Sequence, residues 1–164
     1  MNKPLAAVLA LVVAGCGNAA DTSITSVATS CQEPPPEEIA RESELDIRVS
    51  PNPAAPRAVV ELVASRGDLP NDTVVGVDAE WQCWDGSRWM TTHIVYRGFG
   101  DNAGQTIPVN AEFQIRVPSI GLALDERYPI VIPQVAPGTY RVEDAALADG
   151  DAIGGFAVVE VVEN

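Results

Sequence analysis

The sequence predicts an all-β fold, arranged as a single antiparallel β-sandwich that follows a disordered tether. From residue 44 onward, apolar and polar residues alternate with a period of two over several short segments, which is the pattern of half-buried strands. Turn residues separate these segments at short intervals, as is typical of sandwiches. No segment has a persuasive helical period, and a helical turn is expected only at residues 144–148.

The first four strands are predicted in residues 44–96. In "ELDIRVSP", Leu45, Ile47 and Val49 alternate with polar residues until Pro51 ends the strand. Residues 58–65 predict the second strand, and residues 74–84 and 88–96 predict a hairpin around the turn residues 85–87. If Gly86–Ser87 is the centre of that turn, Trp84 lies opposite Trp89; if Asp85–Gly86 is the centre, the partners shift.

Four more strands are predicted towards the C-terminus. The segment "EFQIRVPS" (112–119) alternates again, and residues 128–133, 138–144 and 155–163 complete about eight strands. Pro137–Gly138 makes a turn that places Tyr140 inward at the start of a strand. Its hydroxyl could then bond to the backbone of the preceding corner, which is the arrangement called a tyrosine corner.

The first 16 residues predict export. Lys3 precedes an apolar run of about ten residues, Leu5 to Ala14, which is shorter than the ~20 residues needed to span a bilayer and has the length of a secretory signal. The small residues Ala14 and Gly15 suit a signal peptidase, and Cys16 follows them directly. An ordinary cleaved signal followed by an incidental cysteine is the alternative interpretation.

The sequence "VAGC" at 13–16 resembles the lipobox of bacterial lipoproteins. The resemblance implies that residues 1–15 are a lipoprotein signal peptide, that Cys16 receives a diacylglycerol and that further acylation, for example with palmitate, follows cleavage. It also implies a location in the cell envelope, on the extracytoplasmic side of a bacterial membrane. Two or more acyl chains give a stable anchor where one does not.

The charge of the chain excludes some partners. The chain carries 23 acidic and ten basic residues, and one of the basic residues is Lys3. The chain after cleavage therefore has nine basic and 23 acidic side chains, a net charge of −14. This excess of acid argues against nucleic acid as a partner and against electrostatic adhesion to anionic lipids, so the lipid on Cys16 would hold the protein at the membrane.

Cys31 and Cys83 remain after Cys16 is lipidated, and an exported chain can join them in a disulfide. The bond would close a loop of about 50 residues and stabilise the fold by ~4 kcal/mol; two free thiols are the alternative. Residues 16–43 predict a flexible Pro- and Glu-rich tether in which residues 34–36 adopt polyproline II. With the disulfide formed, the free tether shortens to residues 17–30 and the proline segment is held against the domain.

A second resemblance concerns residues 44–164. The runs "VVGVDAEWQCWDGSRW", "VAPGTYRVEDA" and "GGFAVVEVVE" resemble the immunoglobulin-like domains of bacterial envelope lipoproteins. The resemblance covers residues 45–162 and implies an immunoglobulin-like sandwich in the envelope. It implies no reaction, because a fold alone does not define an activity.

The candidate contacts for a partner are aromatic. Trp84 and Trp89 flank the predicted hairpin, and Phe99 lies between two glycines in the loop 97–110; exposed aromatics and loops often form binding sites. A cross-strand aromatic pair and a flexible connector are the structural alternatives. The only histidine, His93, has no recognisable catalytic partner, and no catalytic or phosphate-binding motif occurs.

We therefore expect a non-catalytic binding or adhesion module for an envelope protein or glycan, without a cofactor or a metal. A structural spacer, and a small loop-based hydrolase or inhibitor, are the alternatives.

Overall fold

The computed structural model describes residues 31–65, 67–70, 72–98, 105–109 and 121–163. Within these ranges the chain forms ten strands and one short helix, so the prediction of an all-β protein is confirmed. The elements are α1 (Pro36–Ile39), β1 (Leu45–Ser50), β2 (Val59–Ser65), β3 (Val74–Val75), β4 (Asp78–Trp84), β5 (Trp89–Tyr96), β6 (Thr106–Pro108), β7 (Leu122–Ala123), β8 (Arg127–Val131), β9 (Gly138–Ala148) and β10 (Asp151–Val161).

The strands form one continuous sheet that nearly closes on itself. Its order is β6-β5-β4-β9-β10-β1-β2-β8, and β3 lies between β9 and β7. The two ends of this order are joined by hydrogen bonds, from the Gly98 amide to the Pro129 carbonyl (2.6 Å) and from the Thr106 hydroxyl to the Val131 carbonyl (3.1 Å). The sheet is therefore nearly barrel-like, and the side chains that point inward form the core.

Most of the predicted strands are confirmed, with two differences in the described residues. The strand predicted at 74–84 is divided into β3 and β4, because β9 pairs with β4 through residues 140–143 and with β3 through residues 146–147. The helical turn predicted at 144–148 is wrong. These residues belong to β9, where Ala146 and Ala148 are buried and Ala145 and Leu147 are exposed, which is the alternation of a strand. The predicted strand 112–119 lies outside the described residues.

The expectation of a purely antiparallel arrangement is also wrong, because β1 and β10 run parallel. Leu45 lies opposite Gly155, and Asp46 lies opposite Phe156. A Cβ atom on Gly155 would overlap the carbonyl oxygen of Leu45. Glycine at position 155 therefore allows the two strands to approach each other.

The chain that follows β1 continues along the same edge of β10. The Asn52 side chain donates to the Val158 carbonyl (2.8 Å) and accepts from the Glu160 amide (2.9 Å). The Ala54 amide donates to the Glu160 carbonyl (2.9 Å), and the Val162 amide donates to the Ala54 carbonyl (3.0 Å). Residues 52 and 54 thus satisfy backbone groups of β10 that β1 does not reach.

The core contains the predicted tyrosine corner. The Tyr140 hydroxyl donates to the Ala136 carbonyl over 2.8 Å, which confirms that prediction. The Tyr140 ring packs on the fully buried ring of Trp81, with centroids 5.3 Å apart. Large aromatic rings dominate the burial energy of a small core, so this pair fixes β4 against the start of β9.

Candidate functional site

The hairpin between β4 and β5 has the first of the two registers considered above. Trp84 pairs with Trp89, and the Asp85 amide donates to the Arg88 carbonyl (3.0 Å), so Gly86–Ser87 is the centre of the turn. The two indole rings meet edge to face, with centroids 5.7 Å apart. Trp84 is only 8% exposed, whereas Trp89 is half-buried. The two residues thus form a cross-strand aromatic pair, a type of pair that stabilises a hairpin by ~0.2–1 kcal/mol.

Asp85 organises the tip of this hairpin. Its Oδ1 atom accepts hydrogen bonds from the Ser87 amide (2.8 Å), the Ser87 hydroxyl (2.8 Å) and the Arg88 amide (2.9 Å). These bonds favour the ionised carboxylate and hold the pKa of Asp85 below its usual range. Gly86 adopts φ = 101°, a conformation that favours glycine.

Beside the hairpin lies an arginine–aromatic cluster, which we define as Trp89, Arg141 and Phe156. The guanidinium carbon of Arg141 is 4.9 Å from the ring centroid of Trp89 and 4.9 Å from that of Phe156. Its Nε atom donates to the Gln82 side chain (2.8 Å), and its Nη2 atom donates to Glu143 (2.6 Å). Burial lowers the pKa of Arg141, against the opposing effect of Glu143.

This cluster was not predicted from the sequence. Its three residues come from β5, β9 and β10, so only the sheet order brings them together. Each ring–cation contact contributes about 0.5–2 kcal/mol, depending on how far it is desolvated. Trp89 is therefore already engaged within the domain by Trp84 and by Arg141.

An N-terminal strap, which we define as residues 31–44, lies against the domain. Cys31 and Cys83 form the predicted disulfide, with their Cα atoms 5.4 Å apart. The Gln32 amide donates to the Trp84 carbonyl (2.8 Å), and the Thr139 hydroxyl donates to Glu33 (2.8 Å). Pro34 is buried, so the proline segment is held against the domain, as expected if the disulfide forms.

The local structure of the strap differs in part from the prediction. Pro35 has the φ of −68° and ψ of 150° of polyproline II, but Pro36 begins helix α1. Proline is favoured at the first position of a helix because it has no amide hydrogen to leave unpaired.

The disulfide should contribute substantially to stability. We expect Cys31→Ser/Cys83→Ser to lower the free energy of unfolding by about 2–4 kcal/mol, because the bond constrains a sequence separation of 52 residues in the unfolded chain. Urea unfolding of the two proteins measures the difference. Alkylation of the native chain without reductant should add no mass at either cysteine, and a mass gain at both would contradict the bond.

A shallow groove lies on the opposite part of the sheet, over β1, β2 and β8. It has a volume of about 270 Å³ and contains two exposed ion pairs, Arg48 with Asp46 (2.5 Å) and Arg127 with Glu61 (2.7 Å). Ion pairs this exposed contribute little to stability. They give this face a mixed charge.

His93 lies on β5 and is half-buried. Its Nδ1 atom is 3.1 Å from the Thr92 hydroxyl, and burial lowers its pKa below the usual value. The structure therefore favours the neutral imidazole and gives it no carboxylate partner among the described residues. Phe99, the third candidate contact, lies outside the described residues.

The described residues contain no metal-binding cluster, and the chain has no match among known families. No group of three His, Cys, Asp or Glu residues in the described ranges could hold a metal ion. Among the same residues, no helix combines the length and the apolarity needed to cross a membrane. No family model, no curated protein and no solved structure matches the chain.

Proposed function

We propose that the chain is a lipid-anchored, extracytoplasmic immunoglobulin-like domain that acts as a non-catalytic binding module at the cell envelope. The Cys31–Cys83 bond is the observation that carries this proposal. Structural disulfides persist in oxidising compartments and are rare in the cytosol. The bond therefore supports export, which the lipobox-like "VAGC" also predicts.

The topology supports the immunoglobulin-like assignment. In this proposal we assign β4, β9 and β10, which are neighbours in that order, to strands C, F and G, and β5 and β6 to C′ and C″ of a variable-type domain. We assign β1, β2 and β8 to A, B and E. The buried Trp81 on β4 and the tyrosine corner at the start of β9 support the assignment, because such domains have a buried Trp on strand C and a tyrosine corner at strand F.

Two features depart from that pattern. The strands form one nearly closed sheet, whereas an immunoglobulin fold has two packed sheets. The disulfide of antibody domains joins strands B and F, whereas here it joins the N-terminal strap to β4. The anchored end of the chain is thereby attached to the middle of the sheet. The predicted free tether, residues 17–30, lies outside the described residues; a coil of that length would reach about 20 Å on average, which would keep the domain close to the membrane surface.

The anchor is tested by changing Cys16. We expect the native chain to incorporate a labelled fatty acid and to partition into detergent when expressed in a bacterial host. Cys16→Ser should abolish both, because the thiol is the acceptor of the lipid. Cys31→Ser is the matched control, since it removes a cysteine of the same chain and should leave the labelling unchanged. Unchanged labelling of Cys16→Ser would refute the anchor.

The binding role is tested separately. Trp84, Trp89 and Phe99 stay predicted contacts, and Trp84 offers little surface because it is 8% exposed. Cross-linking of the native chain in the envelope should give one specific adduct that Trp89→Ala reduces. Trp84→Ala is the comparison, because it removes the buried member of the same pair. Equal adducts from all three proteins would contradict a contact at the hairpin.

A further inference from the structure

The edge of β10 that faces β1 is covered along only part of its length. Strand residues alternate in direction, so every second residue of β10 directs its backbone groups away from β9. The outward residues are the even-numbered ones, because Asn52 and Ala54 bond to backbone groups of Val158 and Glu160, and to the following Val162. By the same alternation, the outward groups of Ala152 and Gly154 lie on this edge.

No described residue pairs with β10 at this position on the side away from β9. β1 begins its pairing at Leu45 with Gly155, and residues 41–44 form no ladder with β10. The register between β9 and β10 is unbroken from Asp151 to Val161, so this part of β10 is an ordinary, extended strand. Among the described residues, this edge is open over the four residues from Asp151 to Gly154, about 13 Å at 3.3 Å per residue.

The edges of β8 and β6 are protected. The Pro129 and Val131 carbonyls of β8 accept bonds from Gly98 and Thr106, and β6 is three residues long and ends in Pro108. Proteins commonly protect sheet edges with proline, short strands or covering segments, because an open edge pairs with other chains. In the part of the chain that the structure describes, no such device protects the Asp151–Gly154 edge of β10.

The surface next to this edge is apolar. Ala152 pairs with Leu147, Leu147 pairs with Val74, and Val74 pairs with Ala123. Residues that lie directly opposite one another on neighbouring strands point to the same face of the sheet. Leu147 is 50% exposed on that face. A strand added beside Ala152 would extend this row, so that its apolar side chains could cover Ala152 and approach Leu147.

Both ends of the edge are acidic. Glu44 precedes Leu45 at one end, Asp149 and Asp151 lie at the other, and all three are exposed. The whole chain carries a net charge of −13. A second copy would bring these acidic residues together, whereas a basic segment would complement them.

We propose that the Asp151–Gly154 edge of β10 accepts an extended, Lys- or Arg-bearing segment of a partner protein as an added strand. In this mode of recognition, main-chain hydrogen bonds give affinity and alternate side chains give specificity. The outward amide and carbonyl of Ala152 and the outward amide of Gly154 supply the main-chain bonds, because the Gly154 carbonyl already pairs with β1 at Leu45. The flanking carboxylates select a basic partner. This inference rests on the proposed role as a binding module and gives that role a second, separate surface.

The test uses the full chain in detergent micelles and a ten-residue peptide of alternating lysine and valine. We expect the peptide to slow amide exchange at Ala152 and Gly154 at least tenfold, and a glutamate–valine peptide to have no effect. Ala152→Pro removes an outward amide without breaking the ladder to β9, so it should weaken peptide binding at least fivefold. A near-native melting temperature shows that the variant folds.

A second pair of variants tests the charge. Glu44→Gln/Asp151→Asn should weaken binding of the lysine peptide at least threefold, and Glu37→Gln/Glu163→Gln, which changes the net charge equally, should not. Protection at other strands, or equal binding by both double variants, would overturn the proposal. Concentration-dependent protection without peptide would also overturn it, because the occupant would then be a second copy. A failed Cys16 experiment would leave these outcomes unchanged, so the two proposals are separable.

Discussion

Gly155→Ala is expected to lower the free energy of unfolding by at least about 4 kcal/mol, or to prevent folding. The added Cβ atom would overlap the carbonyl oxygen and carbon of Leu45. Both are backbone atoms of β1, so no side-chain rotation relieves the contact. β1 must move away from β10, and the losses would include the parallel pairing and the burial of Leu45, which is 0% exposed. Losses of this size are exceptional for single substitutions.

Gly154→Ala is the matched control for that prediction. A Cβ atom at position 154 would meet only the Asp144 carbonyl, at an ordinary distance of 3.9 Å. The same chemical change one residue earlier should therefore alter the free energy of unfolding by less than about 1 kcal/mol, with a small gain from the stiffer unfolded chain. Urea unfolding measures both variants. Similar stabilities for the two would show that the β1–β10 contact does not require glycine.

The sequence predicted the strands well where one face of the strand is buried. In β1 the alternation of Leu45, Ile47 and Val49 with polar residues matches the observed burial at every position. The tyrosine corner was also predictable, because Tyr140 follows a Pro–Gly turn by two residues and the geometry of that corner is local.

Pairings between distant segments were not predictable in the same way. The parallel contact of β1 with β10 depends on which strand the chain places beside Leu45, and alternation contains no information about neighbours. The requirement for glycine at 155 follows only once that pairing is known. The arginine–aromatic cluster has the same origin, because Trp89, Arg141 and Phe156 lie on three strands.

The alternation at the start of β9 continues into residues 144–148, for which the sequence analysis predicts a helical turn. Tyr140 and Val142 point inward, so a strand that continues with a period of two places Asp144 inward as well. Asp144 is indeed 4% exposed. A buried carboxylate needs a partner, and the structure provides it from Arg97, a residue that the sequence analysis did not single out.

The ion pair of Arg97 and Asp144 joins the point where β9 passes from β4 to β3 to the break between β3 and β4. β9 passes from β4 to β3 around Asp144. The Arg97 amide donates to the Val77 carbonyl (2.8 Å) and its guanidinium donates to the Gly76 carbonyl, both in the break between β3 and β4. Both side chains are buried, with exposures of 0% and 1%. Burial lowers the pKa of Arg97 to about 10, so the guanidinium is still charged at neutral pH.

Arg97→Met should therefore cost about 3–5 kcal/mol of unfolding free energy, because it leaves a buried carboxylate without its cation. Arg97→Met/Asp144→Asn removes the Asp144 carboxylate charge together with the guanidinium. We therefore expect the double variant to recover at least half of the unfolding free energy that Arg97→Met loses. Urea unfolding of both single variants and the double variant gives the coupling energy. Additive losses would contradict direct pairing, whereas strong coupling would show that the two side chains stabilise each other where β9 passes from β4 to β3.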